Sequence, residues 1–398
     1  MNLVINIFYE VKIKEKPYIS DYFNDMEMTR VNSINPEMFV WAFKRAGFDE
    51  ETAVKAFPNL KFWLSGEKLP TLNQLQQFAK RFYVPLGYLF LQKEPTETIP
   101  FPLFRGKAGE SNHFDLNVYD TVNNIQLRQD WLEEYLVNND IETSDLVNCI
   151  SLKTPVNEAV NLLRRKLNLD PQWAFSLART DIAVGFLTEK LEENGVFVAY
   201  NGVVGNNTQR SLKVNECRGF ALVNKVAPYI FVNSADSKSA QLFTLVHEVA
   251  HIMLGVSAGH AGDDFDGRDA NEKYCDKLAA EFLVPSYLLR EIWNGDIKKL
   301  AHLFKASEIV VARRSHDVGL LSDVEYRDFW MEYSNRPISK KEKRGGGDFY
   351  LTSVKRVGRL FAVHVRNAVN SRQLQYTEAY RLTGLYGSTY ERFMTNNI

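Results

Sequence analysis

A chain of 398 residues, 45% apolar and 24% charged, has the balance of an ordinary globular protein of two or three domains. A formal net charge of −1 excludes a global field that recruits nucleic acid, and no stretch approaches the roughly 20 apolar residues of a membrane span. Cys149, Cys217 and Cys275 are odd in number and unpaired in spacing, which excludes a disulfide scaffold and suits a reducing cytoplasm.

Residues 1–28 read as an N-terminal extension, a short strand and a polar connector. The opening MNLVINIFYEVKIKEK has no basic region ahead of its apolar run and no small-residue cleavage site, so it does not read as a signal peptide. Residues 29–99 are helical. NPEMFVWAFKRAGF sets Met38, Phe39, Ala42 and Phe43 at helical spacing before Gly47. DEETAVKAF, PNLKFWLSGEKLP, TLNQLQQFAKRF and PLGYLFLQ follow as short helices. This succession, with WLSGEKLPT at its centre, resembles a helix-turn-helix domain of the XRE/Cro type. It departs where DNA would be read. Only five residues separate Phe57 from Trp63, with Asn59 and Lys61 as the polar candidates for base edges. Docking onto protein is the favoured reading, and direct DNA reading the alternative.

Residues 100–150 read as a linker and a scaffold helix. PTETIPFPLFR is Pro-rich and extended. NVYDTVNNIQLRQDWLEEYLVNN is amphipathic, with Tyr119, Val122, Ile125, Leu132 and Tyr135 on its apolar side. The next domain spans 151–292. VNEAVNLLRRKL and AFSLARTDIAVGFLTEKLEENG are helical, while GVFVAYN, RGFALVN and APYIFVN are strand-like.

The last strand leads into TLVHEVAHIML, residues 244–254. Ser234 or Asp236 is a fair N-cap and Gly255 a fair stop. His247 and His251 are four apart, on one helix face and roughly 6 Å apart along the axis. Two imidazoles so placed can hold one tetrahedral Zn²⁺, with Glu248 placed as general base. A third ligand is needed, and Glu272 opens a second helical pattern, NEKYCDKLAAEFLVP. It would complete a His₂Glu site and leave the fourth position to water. Asp276, one turn on, is placed to accept a ring N–H from a ligand histidine.

HEVAH followed by NEKYCDKLAAEFLVP resembles the ImmA/IrrE family of metallopeptidase-like regulators, and more distantly the thermolysin-type zincins. The resemblance implies one Zn²⁺ per chain on His247, His251 and Glu272, with Glu248 as catalytic base. It also implies a regulator that cleaves or otherwise inactivates a cognate repressor. Cys275 stands where a small residue is usual and Asp276 where Asn is common, and neither departure threatens the metal. Tyr274 and Tyr287 are the candidates for stabilising an oxyanion.

Between the two ligand helices, GHAGDDFDGRDAN lacks the pattern of a calcium loop and reads as a mobile acidic loop. His260 could approach the site, although a solvated loop histidine is the plainer reading. Residues 293–335 hold a second helix-turn-helix-like pair around Leu300, Ala301, Phe304, Val310 and Val311. Residues 336–398 read as a basic helical region behind a Gly345-Gly346-Gly347 hinge, with twelve Lys/Arg against four Asp/Glu, a local +8. Opposite charge on a tether suggests that this tail docks reversibly on Asp263, Asp264, Asp266 and Asp269 beside the cleft.

The fold expected is therefore α+β and mostly helical. A zincin-like, gluzincin-type metallopeptidase domain with a small sheet would be joined to helix-turn-helix-like helical domains. The function expected is a cytoplasmic zinc-dependent endopeptidase-type regulator of a repressor or antitoxin-like protein, with no membrane partner. The alternative is a DNA-binding or toxin–antitoxin regulator with little turnover, contacting DNA through its helix-turn-helix segments or basic C-terminal region.

Overall fold

The computed structural model describes residues 30–97, 99, 103–104, 115–260, 269–336 and 348–398. They fall into two units, one ending at Thr98 and one beginning at Ile99.

The first unit is helical: α1 (Pro36–Arg45), α2 (Glu50–Ala56), α3 (Leu60–Leu64), α4 (Leu72–Arg81) and a 3₁₀ turn at Leu86–Phe90. Each boundary has a local cause. Asn35 and Asp49 cap α1 and α2 with their side chains, and Thr71 with Gln74 forms a capping box at α4. The core is aromatic, with Phe39, Phe43, Trp63, Phe78 and Phe82 all buried. Phe78 meets Phe39 edge-on at 5.1 Å and Phe82 at 4.6 Å. α3 has only five residues and no side-chain cap, as the short Phe57–Trp63 interval suggests.

The second unit is built on a mixed five-stranded sheet in the order β1-β7-β5-β6-β2. Its strands are β1 (Leu103–Phe104), β2 (Phe197–Asn201), β5 (Gly219–Leu222), β6 (Tyr229–Asn233) and β7 (Ala258–His260). A separate antiparallel pair, β3 (Val203–Val204) and β4 (Asn207–Ser211), flanks it. β2 runs parallel to β6, and β5 antiparallel to both β6 and β7.

Alternation along the strands divides the core into two. Val198, Tyr200, Ala221, Ile230 and Val232 face one side. There they meet α6 (Val156–Leu167), α7 (Thr180–Glu193), α8 (Lys238–Leu254) and α9 (Ala270–Leu283). Phe197, Ala199, Phe220, Leu222, Tyr229 and Phe231 face the other side, where they meet α5 (Leu116–Asn138). The protein is thus α+β and mostly helical, with a small mixed sheet between helical layers.

α10 (Ser286–Ile292), α11 (Ile297–Phe304) and α12 (Glu308–Asp317) continue the first side, and α13 (Asp323–Ser334) follows them. The helix-turn-helix-like pair α11–α12 is sealed into the core of α8, through Leu300, Ala301, Phe304 and Val311. Arg314 of α12 donates to the Val284 carbonyl at 3.3 Å and pairs with Glu281, tying the pair to the end of α9.

The C-terminal helices correct the expectation of a docking tail. α14 (Phe349–Val357), α15 (Arg359–Asn370), α16 (Tyr376–Thr383) and α17 (Gly387–Asn396) lie on the second side of the sheet with α5. Phe361, Val365, Ala368 and Phe393 are buried there. Between α14 and α15, Gly358 has φ +87°, and a Cβ would lie 2.7 Å from the Val198 carbonyl, so only glycine lets the chain approach β2 this closely. The helix containing Val122, Ile125 and Leu132 is likewise a core element and not a free connector, its Gln129 donating at 2.8 Å to both the Leu222 and Ala227 carbonyls. The Gly345–Gly347 hinge, residues 1–29 and the acidic loop through Asp263, Asp264 and Asp266 lie outside the described residues.

Candidate metal centre

The centre rests on two packed helices, α8 and α9. The capping residue of α8 is Ser237, whose hydroxyl accepts from the Ala240 N–H at 3.2 Å. Ser234 and Asp236 serve the same turn differently, their carbonyls accepting from the Gln241 side chain at 3.1 and 2.7 Å. Gly255 ends the helix in the left-handed region at φ +76°, as its sequence position suggests. From Leu242 to Leu254 nearly every side chain of α8 is buried, so the histidines cannot swing out to solvent.

His247, His251 and Glu272 are each 0% exposed, and one ligand atom from each lies within 4.8 Å of the others. Glu272 reaches both rings, with Oε2 3.2 Å from His247 Nε2 and Oε1 3.0 Å from His251 Nε2. The two Nε2 atoms are 3.1 Å apart. Asp276, one turn further along α9, sits 3.0 Å from His247 Nδ1, which leaves Nε2 to face the other ligands. Glu248 is also fully buried, and neither of its carboxylate oxygens has a hydrogen-bond partner among the described residues.

Burial pushes the Glu248 carboxyl well above the usual carboxylate range, moderated by His247 and reinforced by Glu272 and Asp276. The histidines diverge. Burial alone would lower both, and it holds His251 below its ordinary value. At His247 the bonds to Asp276 and Glu272 outweigh burial and raise the ring to about 10.

This donor set fits a divalent cation. Two imidazoles and the Glu248 and Glu272 carboxylates converge fully buried, with the partly exposed Asp276 behind His247, and uncompensated negative charge buried in this way is costly. Two imidazole nitrogens and one carboxylate are also the donors of an open zinc site. A cation held by His247, His251 and Glu272 would offset that charge, taking the place of the proton that Asp276 and Glu272 favour on His247 without it.

Gly219, at the start of β5, is a site residue that pattern reading passes over. A Cβ there would meet Thr244 Cγ2 at 2.5 Å, the Phe231 carbonyl at 2.8 Å and Glu248 Oε1 at 3.3 Å. The missing side chain makes room for the Glu248 carboxylate between strand and helix. A glycine opening the strand RGFALVN was the available signal. Cys275 and Cys217 lie close by, their thiols raised by burial and by the surrounding carboxylates.

The two tyrosines do not join the cluster. The Tyr274 hydroxyl donates to the Thr154 carbonyl at 2.8 Å, and Tyr287 is 54% exposed on α10. Asp269, expected in the acidic loop, caps the start of α9. The side chain of His260 is outside the described residues.

Replacing Asp276 with Ala is expected to lower metal affinity about 10- to 100-fold, because His247 would lose the partner at Nδ1 that fixes its ring. Competition against a chromophoric chelator measures this. Unchanged affinity would show that Asp276 has no orienting part.

No described helix is long and apolar enough to cross a membrane. Residues 357–396, which include α15 to α17, match the model of a domain of unknown function, DUF8813. No curated protein and no solved structure matches the chain. Residues 192–316, from the end of α7 through α12 and including all five clustered residues, match the family model of the IrrE N-terminal-like domain, a peptidase family, which supports the ImmA/IrrE resemblance.

Proposed function

We propose that the second unit is a zinc-dependent endopeptidase that regulates transcription in the cytoplasm by cleaving or inactivating a cognate repressor or antitoxin-like protein. The observation that carries this reading is the buried convergence of His247, His251 and Glu272 beside a Glu248 carboxylate with no hydrogen-bond partner among the described residues. A structural metal site has no use for such a carboxylate, whereas hydrolysis requires one.

His247, His251 and Glu272 would hold one Zn²⁺. When bound, zinc supplies a Lewis acid for a scissile carbonyl and brings the pKa of water to around 7. The rest falls to side chains of the protein. Burial makes the Glu248 carboxylate more basic, and in its ionised form it would take a proton from the attacking water and then, as the acid, pass it to the leaving amine. Gly219 leaves the space that this carboxylate occupies. Asp276 holds the orientation of His247.

The test is incubation of the full chain and zinc with the repressor-like protein encoded beside its gene. Zinc-dependent cleavage products, lost on adding a chelator, are expected by mass spectrometry. Intact partner with unaltered DNA binding would contradict the proposal.

Recognition of the partner we assign to the first unit. Its α3 is five residues long, and one of its two polar candidates, Lys61, is folded over the Phe62 ring at 4.6 Å. Fluorescence anisotropy of the full chain on DNA panels is expected to show no sequence preference. Mismatch penalties of about 1–3 kcal/mol per base pair would instead assign this unit to DNA.

A further inference from the structure

On the sheet side away from α8, four distant segments enclose a partly open cavity of about 60 Å³. Arg128 comes from α5, Asn206 from the β3–β4 turn, Arg356 from the last turn of α14, and Arg381 with Thr383 from the end of α16. By the same measure one water needs about 10–15 Å³, so the space suits a group of about five heavy atoms. Three guanidiniums line it, and among the described residues only Arg381 has a carboxylate partner, Glu378 of its own helix. Arg128 and Arg356 form no ion pair among the described residues.

The three arginines differ in what they already hold. Arg128 donates to the Leu382 carbonyl at 3.0 Å, the Arg356 carbonyl at 2.9 Å and the Val357 carbonyl at 3.3 Å. It thereby occupies the carbonyls at two helix C-termini that would otherwise repel an anion. Asn206 donates to the Gly384 carbonyl at 2.8 Å and accepts from Arg356 Nη1 at 3.3 Å, which fixes its amide. That single long contact is the only hydrogen bond of the Arg356 side chain among the described residues. Half-burial lowers the pKa of this guanidinium, with no carboxylate to oppose the shift. Arg381 is 58% exposed at the rim.

We propose that Arg356 and Arg381, supported by Arg128 and Asn206, form a binding site for a phosphoryl-sized oxyanion, either free phosphate or the phosphate end of a small molecule. Planar guanidinium forks match tetrahedral oxyanions through paired charge-assisted bonds. The cavity admits such a group and not a whole nucleotide, so any larger ligand extends into solvent past Arg381. This site is independent of the zinc reading.

The test is calorimetric titration of the full chain at fixed ionic strength, with inorganic phosphate and phenyl phosphate as probes and chloride as the baseline. Saturable binding near one per chain is expected, weakened at least about tenfold in the Arg356→Gln, Arg381→Gln double variant. Arg381→Glu alone, at an exposed position where folding is not at issue, should do the same. Tighter binding of the monoester would assign the site to a phosphorylated molecule, and tighter binding of phosphate to the free ion. Heat no greater than that of chloride, or affinities unchanged in both variants, would overturn the proposal. Phosphate bound at the metal centre would give the latter result.

Discussion

Glu248→Gln is expected to keep its metal and lose at least about 100-fold in partner cleavage, the loss typical of removing a general base. The two effects separate because Glu248 touches no ligand bond. Its oxygens have no hydrogen-bond partner among the described residues, so the amide breaks no hydrogen bond described there. Burial and the nearby Glu272 and Asp276 already favour the uncharged form of Glu248, so a neutral amide of the same shape removes no charge on which the fold depends. The variant should therefore melt no lower than the parent. Metal analysis, thermal melting and timed cleavage on one preparation decide it. Full cleavage in Glu248→Gln would remove the base from the mechanism, whatever the metal content.

The second large effect separates the two views of the C-terminal region. A reversible basic tail predicts that deletion raises activity. The structure predicts that a chain ending before Asp348 loses the fold of its second unit. Deletion would expose Phe197, Phe220, Tyr229 and Phe231 on the sheet and the apolar face of α5. At about 1.5–3 kcal/mol per large side chain, re-exposing even four costs on the order of 10 kcal/mol, comparable with the whole stability of a domain. Gel filtration should find aggregate, and limited proteolysis should find α5 cleaved. A monomeric truncation with native circular dichroism would contradict the layered core.

What the sequence discloses and what it conceals follow from range. The metal cluster is legible because His247, Glu248 and His251 act through one helical turn, and Asp276 follows Glu272 by another. Strand alternation was legible too, but not what covers the second face. Phe361, Val365 and Ala368 repeat at helical spacing and mark a buried stripe. The basic residues among them mark only the opposite, solvated side, so a charge count made a packed layer read as a loose tail. Gly219 was hidden for a related reason. Its neighbour Glu248 is 29 positions away, and only the strand-on-helix packing brings them together. The cap expected at Ser234 or Asp236 falls instead at Ser237, because all three are capping types and the extended backbone at Ser237 sets where the helix begins.

The function proposed for the second unit depends on His247, His251 and Glu272 holding one zinc ion. The most direct test of that is quantitative metal analysis of the full chain beside a His247→Ala, His251→Ala double variant, both loaded with zinc and desalted. Close to one zinc per parent chain is expected, and loss of nearly all of it in the variant, since Glu272 would be the one member of the ligand set left. Equal zinc in the two proteins would contradict it.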